Sequence, residues 1–229
     1  MLDVAPMLCY TENKLNGLLT KEEMMSKGEQ TREMILERTA QLFSRQGYFG
    51  SSLSDIMHET GLEKGGIYNH FESKEQLALE AFDYAVSLVK QHTRATLAGK
   101  THAVDRLLAV IVVFKDMVED PPLAGGCPIL NTAIEADDAQ PALRERAQRA
   151  MDSWRETIHR IVAKGIARQE LRPDVDSDVL ASLLISSLEG AIMMSKLYGD
   201  SAHIHRVADY LTHYIKTSVS AHPEAKSSL

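Results

Sequence analysis

The sequence predicts an all-α protein in which a small three-helix unit precedes a larger helical domain. From Gln30 onward, apolar residues recur at the i, i+3, i+4, i+7 spacing of one helix face. Serines followed three residues later by an acid or Gln, the pattern that satisfies free N–H groups at a helix start, occur at Ser52 and Ser73. No alternating apolar–polar run competes for a strand. Thirteen Gly, seven Pro and 6% aromatics in 229 residues are too few for a turn-rich sandwich or barrel. With 44% hydrophobic and 25% charged residues the chain reads as folded rather than disordered, and this length can bury a substantial core.

The first helix runs from Gln30, with Thr31 available as its N-cap, through Ile35, Leu36, Ala40, Leu42 and Phe43 to a stop at Gly47. Ser52 caps a second helix through Asp55; it turns Leu53, Ile56 and Met57 inward and stops at Gly61. Gly61-Leu62-Glu63 makes a turn into a short third segment, Lys64 to His70, which would point Leu62, Ile67 and Phe71 at the first two helices. Ser73 to Gln76 opens a long helix to about Leu97 that carries Leu77, Phe82, Val86 and Val89. Ala103 to Val118 forms another, broken by Asp120-Pro-Pro-Leu-Ala-Gly-Gly. Pro141 suits the first turn of a helix extending to Glu170, where Arg172-Pro173 ends it. Residues 178–198 are apolar on more than one face and so should be buried on both sides. Residues 201–219 carry a single stripe through Ile204, Val207, Ala208, Leu211, Tyr214 and Ile215. Homodimerisation through these two helices is expected. The boundaries read as an extension over 1–26, a first domain over 27–75, a second over 76–220 and a tail over 221–229; Met24 and Met25 offer an alternative start.

Cys9 and Cys127 form no CxxC pair, so neither a disulfide framework nor a zinc knuckle is suggested and a reducing cytoplasm fits. The longest uninterrupted apolar run, Leu107 to Phe114, is far shorter than the ~20 residues of a membrane helix. The longer segment 180–198 is interrupted by Glu189 and serines, so no membrane span is expected. The N-terminus lacks the basic region of a secretory signal. Residues 80 to 220 hold no Ser/His/Asp order, no HExxH and no glycine-rich phosphate loop, so neither an enzyme nor a cofactor is expected. His203, His205 and His213 invite a metal reading, but i and i+2 lie on different helix faces, and solvated histidines are the default.

The segment Ser52 to Lys74 has the parts of a helix-turn-helix: a capped helix, a glycine turn and a short helix whose outer face offers Lys64, Gly65, Tyr68 and Asn69. Such a helix can enter a major groove about 12 Å wide. Lys-Gly-Gly is poor helix material, each Gly costing ~1 kcal/mol against Ala, and close approach of backbone to DNA explains it. Gly47-Tyr48, Ser52, Asp55-Ile56, Gly61-Leu62, Lys64-Gly65, Ile67-Tyr68, His70-Phe71 and Ser73-Lys74-Glu75 stand in the order found in the TetR family of bacterial transcriptional regulators, which residues 30 to 79 resemble. The resemblance implies that Ser52, Tyr68, Asn69, His70 and Lys74 hold phosphates while Lys64, Gly65 and Gly66 lie nearest the bases. The chain departs from the pattern at Glu63, where a serine cap is common, at Gly66, where a threonine often reaches DNA, and at Met57, which replaces an alanine.

The net charge of −7 argues against a nucleic-acid partner. Between Ser26 and Glu80, six basic residues (Lys27, Arg32, Arg38, Arg45, Lys64, Lys74) stand against nine acidic ones. Local placement must therefore supply the DNA contacts, with Lys64 and Lys74 flanking the short helix, and a shallow salt dependence per half-site is expected.

In the second domain the resemblance implies a pocket for a small, largely apolar effector. Candidate linings are Phe82, Phe114, Met117, Cys127, Trp154, Glu189, Met193 and Tyr198, with Met194 beside them. Core packing is the competing reading for each, and a redox role competes with packing for Cys127. Glu135 or Glu189, if buried near the pocket, would read a polar group on the effector. The expected whole is an all-α homodimer: an N-terminal helix-turn-helix domain on a palindromic double-stranded operator, and a larger C-terminal domain for ligand binding and dimerisation. Ligand-induced release is the expected mode. Activation instead of repression stays open, as does a helical carrier or enzyme without DNA binding, which the acidic first domain favours.

Overall fold

The computed structural model describes residues 25–136 and 140–222. Cys9, Met24 and most of the two terminal extensions lie outside them. The first helix, α1 (Lys27–Gln46), begins ahead of the expected Thr31 cap because Ser26 does the capping. The Ser26 hydroxyl accepts from Glu29 N–H at 3.3 Å and the Glu29 carboxylate accepts from Ser26 N–H at 2.7 Å, so two free donors are satisfied reciprocally. Thr31 instead donates to the Lys27 carbonyl inside the helix.

α2 (Leu53–Thr60), α3 (Lys64–Tyr68) and α4 (Lys74–Leu97) follow as the spacing predicts. Ile35, Leu42, Ile56, Ile67, Phe71 and Leu77 form one buried cluster that holds the first three helices to the start of α4. α1 also lies along α4 on a seam of small residues, Ala40, Ala81 and Ala85, closed by Leu123. The start of α4 differs in detail from the expected box. Ser73 accepts from Gln76 N–H, but the Gln76 side chain reaches back to Glu72 N–H at 2.6 Å, one residue early.

The larger cluster is built by α4, α5 (Ala103–Glu119), α6 (Pro128–Ala136), α7 (Pro141–Ala167), α8 (Ser177–Tyr198) and α9 (Ala202–Tyr214). α6 has no counterpart in the sequence reading. α7 ends at Ala167 rather than Glu170. Gln169 takes φ 58°, and residues 170–172 turn away to pair with the end of the chain: Arg172 N–H donates to Val219 and Ala221 N–H to Glu170, both at 3.0 Å. The continuous helix expected over 201–219 is split, because its last turn, Ile215–Val219, is π-helical. Among the described residues Ser177–Tyr198 is long and apolar enough to cross a membrane, and it packs within the helical core through Leu180, Leu184, Leu188 and Ile192.

Two buried positions make the packing of this core testable. Gly165 sits where α7 passes the start of α5; a Cβ there would come within 2.6 Å of both Ala103 Cβ and Leu171 Cγ. In an open helix Gly→Ala gains about 1 kcal/mol, but overpacking costs about 1–3 kcal/mol. Gly165→Ala is expected to lower the thermal midpoint, whereas a rise would show that the contact relaxes freely.

Glu189 is 5% exposed in the core, beside the Cys127 thiol, and neither carboxylate oxygen receives a well-formed hydrogen bond. Burial pushes its pKa up to about 7. The folded state thus holds the proton more tightly than the unfolded chain, so the associated stability is complete below about pH 4.5 and is lost as pH rises through about 7. The loss is on the order of 3 kcal/mol. Denaturant titrations from pH 5 to 8 are expected to show wild type losing stability relative to Glu189→Gln, and parallel curves would refute this role for Glu189.

Candidate nucleic-acid interface and core cavities

The helix-turn-helix is aligned by the turn before it. Gly47 leaves α1 at φ 80°, a conformation that L side chains rarely adopt. Tyr48 then packs edge-on against Phe43, ring centroids 5.7 Å apart. The Lys74 ammonium lies 4.5 Å from the Tyr48 ring centroid and donates to the Tyr48 carbonyl at 3.2 Å and to the Ser51 carbonyl. Half-buried and committed to two carbonyls, Lys74 ties the turn to the start of α4. Two of its three donors are thus used inside the domain, beside the phosphate contact expected of it.

Ser52 accepts from Asp55 N–H at 3.2 Å while the Asp55 carboxylate accepts from both Ser52 N–H and Ser52 Oγ. These bonds, the Ser52 side chain's first, hold the Asp55 carboxyl below its ordinary range. At the other end of α2, Gly61 closes the helix in the left-handed conformation, φ 69°, with its N–H on the Met57 carbonyl at 2.9 Å. That turn delivers α3. Its N-cap, Glu63, makes no side-chain capping bond, and Ile67 anchors the helix at 1% exposure. Lys64, Gly65 and Asn69 are exposed, Gly66, Tyr68 and His70 half-buried, and the Lys64 ammonium stands 5.7 Å from the Tyr68 ring centroid. Ser52, Lys64, Gly65, Gly66, Tyr68, Asn69 and His70 therefore all lie on the stretch that the α2 cap and the Gly61 turn position, with Ser52 also serving as a cap. Arg45 is held by Glu59 at 2.8 Å, and Arg32 by Glu80 with its guanidinium over Phe71.

The candidate effector residues are not brought together. Trp154 lines a cleft of about 540 Å³ between α4 and α7, with Val86, Val89, Leu97, Ile161 and, from α6, Ile129. Phe114 stands behind Trp154, centroids 4.9 Å apart, buried in the core with Met117. Phe82 lines a separate narrow crevice beneath Tyr48 and Phe43. Cys127 is buried against Glu189; burial, then the neighbouring carboxylate, hold its thiol far above the ordinary range, so it packs as a protonated apolar residue. Met193 and Tyr198 are 50% and 66% exposed, on a face of α8 that lines none of these cavities, which corrects their placement in a pocket. Among the histidines offered as metal ligands, His203 stacks on Tyr198 and His205 pairs with Glu119 at 2.6 Å; no cluster of three ligating side chains occurs among the described residues.

α6 carries Asn131, which sequence reasoning missed, and Glu135, which it offered as a reader of the effector and which instead bonds the Tyr48 turn. Its Glu135 carboxylate accepts Tyr48 N–H at 2.7 Å and fills the space a Cβ on Gly47 would take. In the loop before it, Gly125 at φ 118° lets the Ser44 carbonyl occupy its own missing Cβ position. The Gly125 carbonyl accepts from Asn131 at 2.9 Å and from Lys196 of α8 at 2.8 Å. The two glycines at special φ were the sequence signals for this seam.

Comparison with known proteins agrees with the geometry. Residues 35–81 match the family model for bacterial regulatory proteins of the tetR family, and residues 103–211 match a tetracyclin repressor-like C-terminal domain. The crystal structure of a TetR transcriptional regulator from Chloroflexus aurantiacus is 52% identical, covering 86% of this chain and 99% of that one with a TM-score of 0.83. A TetR-family regulator from Cytophaga hutchinsonii is 38% identical, covering 82% and 94%, with a TM-score of 0.75. The transcriptional repressor DhaR of Mycobacterium sp. strain GP1 is 28% identical over 72% of this chain and 82% of its own length. With an exposed α3 carried on a tightly capped helix-turn-helix and both halves matched, the chain belongs to the TetR family of helix-turn-helix DNA-binding transcriptional regulators.

Proposed function

We propose that the protein is a homodimeric repressor whose two α3 helices read a palindromic operator and which leaves it when a small molecule binds the larger domain. One observation carries the DNA reading. Among the described residues, and apart from its chain neighbours and its own helix backbone, no atom lies within 4 Å of where a Gly65 Cβ would be, and a Gly66 Cβ would make only ordinary contact with Leu62. Packing among the described residues therefore does not require two residues that each cost a helix about 1 kcal/mol, whereas a second molecule pressing on the main chain would. Ser52, Tyr68, Asn69 and His70 frame α3 for phosphates, with Lys64, Gly65 and Gly66 nearest the bases.

The dimer reading rests on α8 and α9. Val179, Leu183, Met193, Met194, Leu197 and Tyr198 line an exposed face of α8, and Tyr210 is exposed on α9. Gly190 lies in that face with open space at its Cβ position, room for a partner helix to come close. A two-fold dimer sets paired recognition helices about 34 Å apart, or a small multiple.

Ligand-driven release runs through α6, which reaches the α4/α7 cleft with Ile129 and holds the helix-turn-helix with Asn131 and Glu135. A ligand that displaces Ile129 shifts the bonds at Tyr48 and Ser44, biasing the dimer toward the arrangement that does not fit the operator.

Selection from a random duplex pool by the purified ligand-free protein is expected to enrich an inverted repeat; no enrichment at low or high salt would overturn the proposal. Lys64→Ala is expected to weaken operator binding about 5- to 100-fold, and to lower the slope of log affinity against log salt by about one per half-site, without unfolding the protein. Leu197→Glu is expected to shift sedimentation equilibrium toward monomer. Glu135→Ala leaves the Tyr48 N–H without its partner, and is expected to cost about 1–2 kcal/mol in denaturant titration and to speed exchange of that amide.

A further inference from the structure

The α4/α7 cleft is cationic on a chain that is acidic overall. Lys90 and Arg94 project from α4, with Lys100 in the following loop and Arg106 on α5; from the facing wall α7 contributes Arg160 and Lys164, with Arg168 just beyond its end. One carboxylate lines the same cleft, Glu170, and it already accepts the Ala103 N–H at 2.7 Å. Of the seven cations, Arg160 has a carboxylate partner, Glu156 on its own helix at 3.5 Å. Arg106 and Arg168 donate to the Lys100 and Thr101 carbonyls, at 3.1 and 3.2 Å, which fixes their guanidinium groups at the mouth without neutralising them.

Helix ends do not account for this concentration. Arg94 and Lys164 are in the last turns of α4 and α7, where a cation is favourable to the helix dipole. That effect fades within one turn, and Lys90, Lys100 and Arg106 stand outside those turns. Earlier along α4 and α7 the lining is more apolar, with Val86, Val89 and Trp154 joined by Ile129 of α6, and Trp154 is 7% exposed. At about 540 Å³ the volume falls within the roughly 300–1,000 Å³ of small-molecule sites. Cations grouped beside an apolar stretch are complementary to a molecule with an anionic head and an apolar body.

We propose that this cleft binds an amphipathic organic anion, its acyl or aryl body on Val86, Val89, Ile129 and Trp154 and its multiply charged head among Arg94, Lys100, Arg106 and Lys164. This changes the expected effector from a largely apolar molecule to an anionic one. As an effector assignment it rests on the reading that the larger domain responds to a small molecule; as a binding site it stands on the cleft alone.

Trp154 is the chain's single tryptophan, so its emission reports occupancy directly. The full-length protein is titrated with decyl phosphate, decanol and inorganic phosphate, each below any micelle concentration. Decyl phosphate is expected to change the emission saturably. Decanol is expected to bind about tenfold more weakly or worse, and inorganic phosphate to leave the emission unchanged. The double variant Arg94→Glu/Lys164→Glu, checked by thermal melt, is expected to lose at least about tenfold in decyl phosphate affinity, and raising salt is expected to weaken decyl phosphate but not decanol. Equal binding of decanol and decyl phosphate, or unchanged affinity in a folded double variant, overturns the proposal. So does a double variant that binds decyl phosphate normally but has lost operator binding, which would assign these cations to nucleic acid. Operator binding by the ligand-free protein, measured on the same samples, reports separately on the regulator reading.

Discussion

At the seam between the helix-turn-helix and the larger helical body, main chain meets main chain and carboxylate with no Cβ between them. Glu135 takes the space beside Gly47 and the Ser44 carbonyl takes the space beside Gly125. A side chain at either glycine would force the two halves apart, and both glycines also hold positive φ angles that side-chain-bearing residues rarely adopt. The direction in which α1 leaves the body, and with it the placement of α2 and α3, is set by this contact together with the Ala40, Ala81 and Ala85 seam along α4. α6 is nine residues long, yet it closes the seam with Asn131 and Glu135 and lines the cleft with Ile129. Interfaces packed this closely have few intermediate arrangements, which is how a small displacement becomes a change of state.

Formal charge is a poor guide to what this surface can bind. Several acidic groups of the first domain are used internally: Asp55 and Glu29 bond helix starts, and Glu59 and Glu80 engage Arg45 and Arg32. The same bonds withdraw two arginines, and Lys74 is withdrawn by the Tyr48 turn. Lys64 stays exposed on α3, so a domain with more acids than bases still offers a cation where a groove would lie. In the larger domain the charge is spread over the helices but concentrated in space, with seven of the chain's 25 basic residues around one cleft.

What the sequence made legible was local. Ser52 with Asp55, Gly61 and Ile67 act over three or four residues, so their spacing alone locates α2 and α3 and exposes Lys64, Gly65 and Asn69. Ser26 with Glu29 was equally local, but Thr31 stood nearer the first apolar residue and drew the helix start to itself. The seam was not legible, because the partner of Glu135 is a backbone N–H 87 residues away and nine residues after a Pro-Pro-Leu-Ala-Gly-Gly breaker are too few to display a period. The cleft was hidden for the same reason, its cations lying on helices far apart in sequence. Met193 and Tyr198 were misplaced because an apolar helix face looks alike in sequence whether it meets its own core or stays exposed on it.

The same 87-residue separation bears on how the molecule is made. During synthesis the first four helices emerge together with the whole of their own cluster, from Ile35 to Leu77, and can fold on local contacts while α6 is still inside the ribosome. The contacts that orient them arrive later and close a long loop, a slow step compared with forming a helix. A nascent chain can therefore hold a formed helix-turn-helix before the seam that orients it is in place.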